Sequence, residues 1–201
     1  AIPLGVLAGW KASTLTDRSI MIVAVLGYSI PVFWLGLMLI YLFAVNLNWV
    51  PAAGYTPPSE GFGDYLMHLL LPAITTAVVA MALIARMTRA TMIETLNEDY
   101  VRTARAKGLP EKIVLVRHAL RNAALPIITV IGIGVAGLLS GIVVAESVFA
   151  IPGLGRLMVS AILFRDYPLI QGTILVISAV YVFINLIVDI SYAFFDPRVR
   201  Y

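Results

Sequence analysis

Apolar positions along this chain come in long unbroken runs, with polar residues gathered between them. From Ser19 to Ser59 there is no charged residue. A helix crossing the hydrocarbon layer needs about 20 apolar residues, so the pattern predicts a span from Ile20 to Val45, long enough to cross with some tilt. Further spans are expected at 65–85, 122–145 and 169–188. Ala1 to Trp10 is half a span without a basic leader, and reads as the end of a helix rather than a signal peptide. On that reading the sequence is the carboxyl part of a longer protein, with about five spans here and the first truncated. Pro31, Pro72 and Pro126 fall inside the runs and should kink their helices. Lipid tolerates such breaks where a neighbouring helix or a water-filled path serves the freed carbonyls, which favours a pathway-forming bundle. A proline kink is also an ordinary feature of a membrane helix, and both readings stand.

Composition agrees. Of 201 residues 61% are hydrophobic and 12% charged, against about 45–50% and 25% in a soluble domain. Disorder, a disulfide-stapled module and an ordinary cytosolic enzyme are excluded. With no cysteine there is no thiol nucleophile, disulfide or cysteine-bound zinc. The expected class is an all-α polytopic membrane protein, a single transmembrane domain over 1–201.

The net charge of +3 matters through its placement. Segments 11–18, 86–121 and 196–201 hold twelve basic residues, whereas 46–64 and 146–166 hold only Arg156 and Arg165. The positive-inside bias puts the first set, and the carboxyl terminus, in the cytoplasm. Trp10, Trp49 and Tyr192 fall near the expected interfaces.

Two motifs look chemical and are read otherwise. Gly132–Gly137 matches G-x-G-x-x-G, but it lies inside a charge-free run of 24 residues with no acid at 151–160, so a dinucleotide site is not expected. Gly134, Gly137, Gly141 and Ala145 instead suggest a small face for close approach of helices or of a second subunit. His68 and His118 are fifty residues apart on opposite expected sides, which argues against a shared metal site. No phosphate-cradling G-x-x-x-x-G-K-[ST] occurs, and nothing assembles a nucleophile, a base and an oxyanion donor. No catalytic site is expected on this chain.

Residues 86–121 form the longest polar segment, 36 residues that include RATMIETLNEDYVRTARAKGLPEKIVLVRHALR. Asn97, Glu98 and Asp99 supply caps and negative charge for a helix start, Arg105 and Lys107 suit its end, and Gly108 stops it. The pattern predicts a helix over Asp99–Lys107, a turn at Gly108–Leu109, and a second helix from Pro110 to Arg121. As a nucleic-acid patch the segment is weak, since four acids dilute eight basic residues and aromatic platforms are lacking. A solvated connector and a docking element for a cytoplasmic partner both remain. Val101, Ala104, Ala106 and Leu109 favour docking, because a free loop does not need them.

Asp99-Tyr100-Val101-Arg102-Thr103-Ala104-Arg105-Ala106-Lys107-Gly108-Leu109 resembles the EAA loop of bacterial ABC-importer permeases, most of all the B-type subunit of the dipeptide/oligopeptide/nickel branch. The likeness continues through Arg117–Ala123 with Leu125-Pro126, Glu146–Phe149, Pro152–Arg156, Arg165–Pro168 and the ending Asp196–Tyr201. The E-A-A triplet stands here as Arg102-Thr103-Ala104. The resemblance implies the type I importer transmembrane fold and an inner-membrane pathway for di- or oligopeptides. It also implies a second, non-identical permease, two ATPase subunits and an extracellular solute-binding protein. ATP and magnesium would belong to the ATPase, with no cofactor on this chain. The ATPase-coupling contact would carry over to Tyr100, Thr103, Ala104, Ala106, Lys107, Gly108 and Leu109. The same machine importing nickel or another small solute, and a membrane scaffold recruiting a cytoplasmic partner, are the competing readings.

Leu154 to Phe164 is apolar but too short to span, and is expected as a re-entrant or interfacial helix after a Pro152-Gly153 turn. Family resemblance places it beside the path, which makes Pro152 and Gly153 candidate pathway or gate residues, and Glu146 and Asp189 join them as acids at the ends of apolar runs. A carboxylate at a span's centre costs about 3 kcal/mol and usually finds a cavity or a partner. For Asp189 the partner would be Arg117 or Arg121. Alternatively, both acids are interfacial and serve topology alone.

Overall fold

The computed structural model describes residues 1–195, and every regular element among them is helical. Among the described residues three helices are long and apolar enough to cross a membrane: Phe62–Leu96, Glu111–Val135 and Tyr167–Ser191. The expected span Ile20–Val45 is not one helix. α2 (Leu15–Ser29) ends before Pro31, which sits extended at φ −60°, ψ 135° and opens α3 (Val32–Leu39). Proline lacks the N–H that would continue the ladder and drives the residue before it out of the helical region. α3 runs on as a π-helical segment, Ile40–Asn46. Pro72 and Pro126, by contrast, are carried inside α4 (Phe62–Leu96) and α7 (Arg121–Val148) without ending either.

Ala1–Trp10 forms α1 (Ile2–Trp10), with Pro3 in the first turn where its missing donor costs nothing. α4 outruns the expected 65–85 and continues to Leu96, so the polar segment begins its own fold only at Asn97. After the short helix α5 (Asp99–Ala106) come α6 (Glu111–Ile113) and a π-helical run, Val114–Leu120, which feeds straight into α7. The second loop helix and the expected span 122–145 are therefore one continuous rod. α8 (Leu154–Phe164) has the expected bounds, and α9 (Tyr167–Phe195) is longer than expected at both ends.

The chain divides into two compact units: 1–28, 81–135 and from Ile184 on, and 29–80 with 136–183. In the first, Met92, Leu96, Val101, Ala104, Val114, Leu115, Ala119, Ala123 and Ile127 form the core, with Ile2, Val6 and Leu109 packed against it. α1 lies close on α4 because Gly5 and Gly9 present no side chain. A Cβ on Gly5 would stand 2.5 Å from Thr88 Cβ and 2.7 Å from the Ala85 carbonyl, and one on Gly9 would stand 2.7 Å from Met92 Cβ. That is a small-xxx-small crossing of membrane-helix type. In the second unit Leu71, Ala145 and Phe149 are buried, with Phe43, Val50 and Val148 against them. There the Gly54 N–H donates to the Phe149 carbonyl at 2.9 Å.

The α1–α4 contact gives a graded expectation. Gly5→Val should lower stability by about 1–3 kcal/mol through overpacking. Gly137→Ala, where a Cβ meets nothing within 4 Å, should stay within about 0.5 kcal/mol. Thermal unfolding of the detergent-solubilised protein, followed by tryptophan fluorescence, measures both.

Candidate functional site

An eight-residue helix does not hold in water by itself. α5 holds because one side of it is core: Val101 is fully buried and Ala104 is 5% exposed. Burying a valine stabilises by about 1.5–3 kcal/mol. On the opposite side Tyr100, Arg102, Thr103, Ala106, Lys107 and Gly108 are exposed. The helix thus has a seat and a free outer face.

Its start differs from the expected capping. Glu98 is the cap residue but makes no side-chain cap bond, and the Asn97 amide donates backward to the Ile93 carbonyl at 2.9 Å. Asp99 helps through its charge in the first turn. The stop is as expected. Gly108 adopts φ +77°, its N–H donates to Arg105 O at 2.9 Å, and Leu109 N–H reaches back to Ala104 O at 3.4 Å. Leu109 returns to the core beside Ala104, the apolar contact that accompanies such a stop. Across the turn Arg105 holds Glu111 at two points, 2.7 and 3.3 Å. That hydrogen bond to a carboxylate raises the Arg105 pKa above its ordinary value, against a smaller effect of burial. Both side chains are more than a third exposed, so the pair adds at most about 1 kcal/mol.

Of the seven expected coupling residues, Tyr100, Thr103, Ala106, Lys107 and Gly108 share the exposed part of this element. Ala104 and Leu109 turn inward, because the helix needs an apolar seat and these two complete it. Tyr100 leans on the next rod, its hydroxyl donating to the His118 carbonyl across a long 3.5 Å.

Beside this seat lies a pair that hydropathy does not mark. Asp17 is 2% exposed and accepts from Arg89 through both Nε and Nη2, the latter at 2.7 Å, and from the Ser13 N–H at 2.8 Å. It ties the start of α2 to α4. The readable signal was Thr14-x-x-Asp17, the spacing of a capping box.

In the other unit Glu146, Pro152 and Gly153 come together. Glu146 is 9% exposed, and its Oε2 accepts the Arg156 N–H at 2.7 Å, in the first turn of α8. A free helix start is electropositive, and the carboxylate takes the place a capping side chain would hold. Gly153 itself offers none, and a Cβ there would fall on the Glu146 carboxylate. A Cβ on Gly155 would stand 2.7 Å from Val143 Cγ2. Glu146 is thus engaged in holding α8.

Asp189 is exposed on α9, and among the described residues no ion pair joins it to Arg117 or Arg121, which lie on exposed faces as well. Of the small residues on α7, Ala145 is buried and a Cβ on Gly134 would stand 3.9 Å from Ile84 Cδ1, while one on Gly137 or Gly141 would meet nothing within 4 Å. The close α7 contact falls on Gly132, whose Cβ would stand 2.9 Å from Val188. His68 is held locally, its Nδ1 2.8 Å from the Asp64 carbonyl. The ending Asp196–Tyr201 lies outside the described residues.

These elements are those of a helical membrane protein, and the chain belongs to the family of binding-protein-dependent transport system inner membrane components, matched over residues 1–201. It is 48% identical over its whole length to a probable peptide ABC transporter permease protein, y4tP, of Sinorhizobium fredii, of which it covers 64%. It is 45% identical to the di/tripeptide transport system permease protein DppB of Pseudomonas aeruginosa over 98% of this chain and 65% of that one. With the dipeptide transport system permease protein DppB of Escherichia coli the figure is 42%, over all of this chain and 66% of the relative. The chain therefore spans just under two thirds of the curated relatives it matches.

Glu146→Ala should expose the start of α8. Hydrogen exchange at the Arg156 amide should speed up by about tenfold or more, the loss of one charged hydrogen bond, while Glu146→Gln, which keeps an acceptor oxygen, should lose less.

Proposed function

We propose that this chain is the permease subunit of an ATP-driven importer, forming the inner-membrane pathway for di- and oligopeptides and coupling it to a separate ATPase. The observation that carries this reading is the two-sidedness of α5. An element with Val101 and Ala104 in the core and Thr103, Ala106 and Lys107 outside is built to receive force on one side and pass it to its own core on the other. The left-handed stop at Gly108 keeps the helix short, and a short seated helix moves as a rigid body where a flexible loop would give.

The twelve-to-two bias of basic residues supports a cytoplasmic position for α5 and for the carboxyl terminus. ATP and magnesium then belong to the ATPase seated there, and this chain works as a transport subunit without a catalytic site. A second, non-identical permease, two ATPase subunits and an extracellular solute-binding protein complete the machine. The relatives named above, all peptide, dipeptide or di/tripeptide permeases, favour peptides over nickel as the solute.

Two kinds of substitution should separate seat from contact. Gly108→Val forces a β-branched residue into φ +77° at a cost of about 1–2 kcal/mol, and Ala104→Trp cannot fit a site 5% exposed. Both should abolish uptake. Thr103→Trp, on the outer face, should leave the subunit's own melting point unchanged, yet reduce copurification of the ATPase and the stimulation of ATP turnover by the binding protein. Full uptake in all three variants, or a fully active complex without an ATPase, would refute the reading.

A further inference from the structure

Within the first unit α2 and α4 are tied together by Asp17 and Arg89. Beyond that tie an open groove runs between them. Ala24 and Ala82, both buried, are its floor, since an alanine on each helix leaves space that a larger side chain would fill. Met21, Val25 and Leu83 line its sides, with Tyr28 and Arg86 completing it. The surface of α2 around it is aliphatic: Ile22, Val23, Val25 and Leu26 are each more than half exposed. That is a composition hydrocarbon tails solvate.

Two guanidiniums stand at the inner end of this surface. Arg86 is the first charged residue after the uncharged run 65–85, and Arg18 is the last before the uncharged run 19–59. Arg18 precedes Met21 by three residues and Val25 by seven, a spacing that puts it on the groove side of α2. Both arginines are exposed. Asp17, the acid beside Arg18, is already held by Arg89, and among the described residues neither Arg18 nor Arg86 has an ion-pair partner. A basic pocket between membrane helices on the cytoplasmic side suits an anionic headgroup.

We infer that this groove binds an anionic phospholipid of the inner leaflet, its phosphate on Arg86 and Arg18 and one acyl chain laid over Ala24 and Ala82. Charge complementarity selects this occupant. An apolar helix of another subunit would take both guanidiniums out of water without an anion to receive them. A free phosphate would satisfy the arginines and leave the apolar groove empty. The site is separate from α5 and independent of the solute carried, so it goes beyond the importer reading.

The test uses the full-length subunit in its assembled complex, purified in mild detergent with phosphatidylglycerol and phosphatidylcholine supplied in equal amounts. Native mass spectrometry counts the bound lipid. The unmodified complex should retain phosphatidylglycerol over phosphatidylcholine by at least fivefold. Arg18→Gln combined with Arg86→Gln should bring that ratio close to one. Val25→Trp, which crowds the groove and leaves both guanidiniums in place, should cut phosphatidylglycerol retention at least threefold. Arg121→Gln, an exposed arginine at the start of α7 outside the groove, should change neither value. No preference in the unmodified complex, or an unchanged preference in the double variant, would overturn the inference, the face then being covered by protein or by lipid regardless of charge. Full retention in Val25→Trp, or an equal loss in Arg121→Gln, would overturn it as well, because the groove would then play no part. ATPase copurification, on which the importer reading rests, should be the same in every variant, so the two ideas fail separately.

Discussion

Val101 and Ala104 leave water together or α5 does not exist. Two side chains one helical turn apart are all that this helix buries, and apart from Tyr100 and Ala106 the rest of its length is polar. The seat that receives them draws on α4, on the π-helical run and on α7, so the helix is made by its surroundings far more than by its own propensity. Everything proposed for the chain's coupling follows from that dependence. A partner pressing on the outer face presses on a core, since nothing softer lies beneath.

Elsewhere close approach, rather than hydrophobic drive, sets the geometry, as it must where the solvent is itself apolar. Gly5 and Gly9 bring α1 onto α4, Gly132 brings α7 against Val188, and Gly153 makes room for a carboxylate. Two buried acids, Asp17 and Glu146, are kept only because each has a partner in reach: a guanidinium for one, an N-terminal amide of α8 for the other. Neither contributes much net stability once desolvation is counted, but each fixes where a helix begins.

The helical class, the positions of the later spans and the short helix stopped by glycine were legible in the residues. Charge-free runs and a Gly-Leu-Pro punctuation are local signals and survive translation into structure. What was not legible depended on partners distant in sequence. The inward turn of Ala104 needed the position of Met92 and Val114, and the Asp17–Arg89 pair needed a contact across 72 positions. Gly137 and Gly141 carry the G-x-x-x-G of a long span, whereas the close contact falls on the G-x-x-x-G of Gly5 and Gly9, in a run too short to span. At Pro31 the structure has a break rather than a kink. Pro72 and Pro126 show that the residue type alone does not decide between the two.

The π-helical run Val114–Leu120 stands between the turn after α5 and the α7 rod that follows it. A π turn winds wider than an α turn and is, in effect, an α-helix carrying a surplus residue. Losing one residue there would let the ladder close as an ordinary helix with both ends in place. A deletion anywhere else along the rod would swing the buried side of everything beyond it outward by about 100°. This stretch is therefore where the rod can absorb a change of length, and where its winding can shift without unthreading what lies on either side.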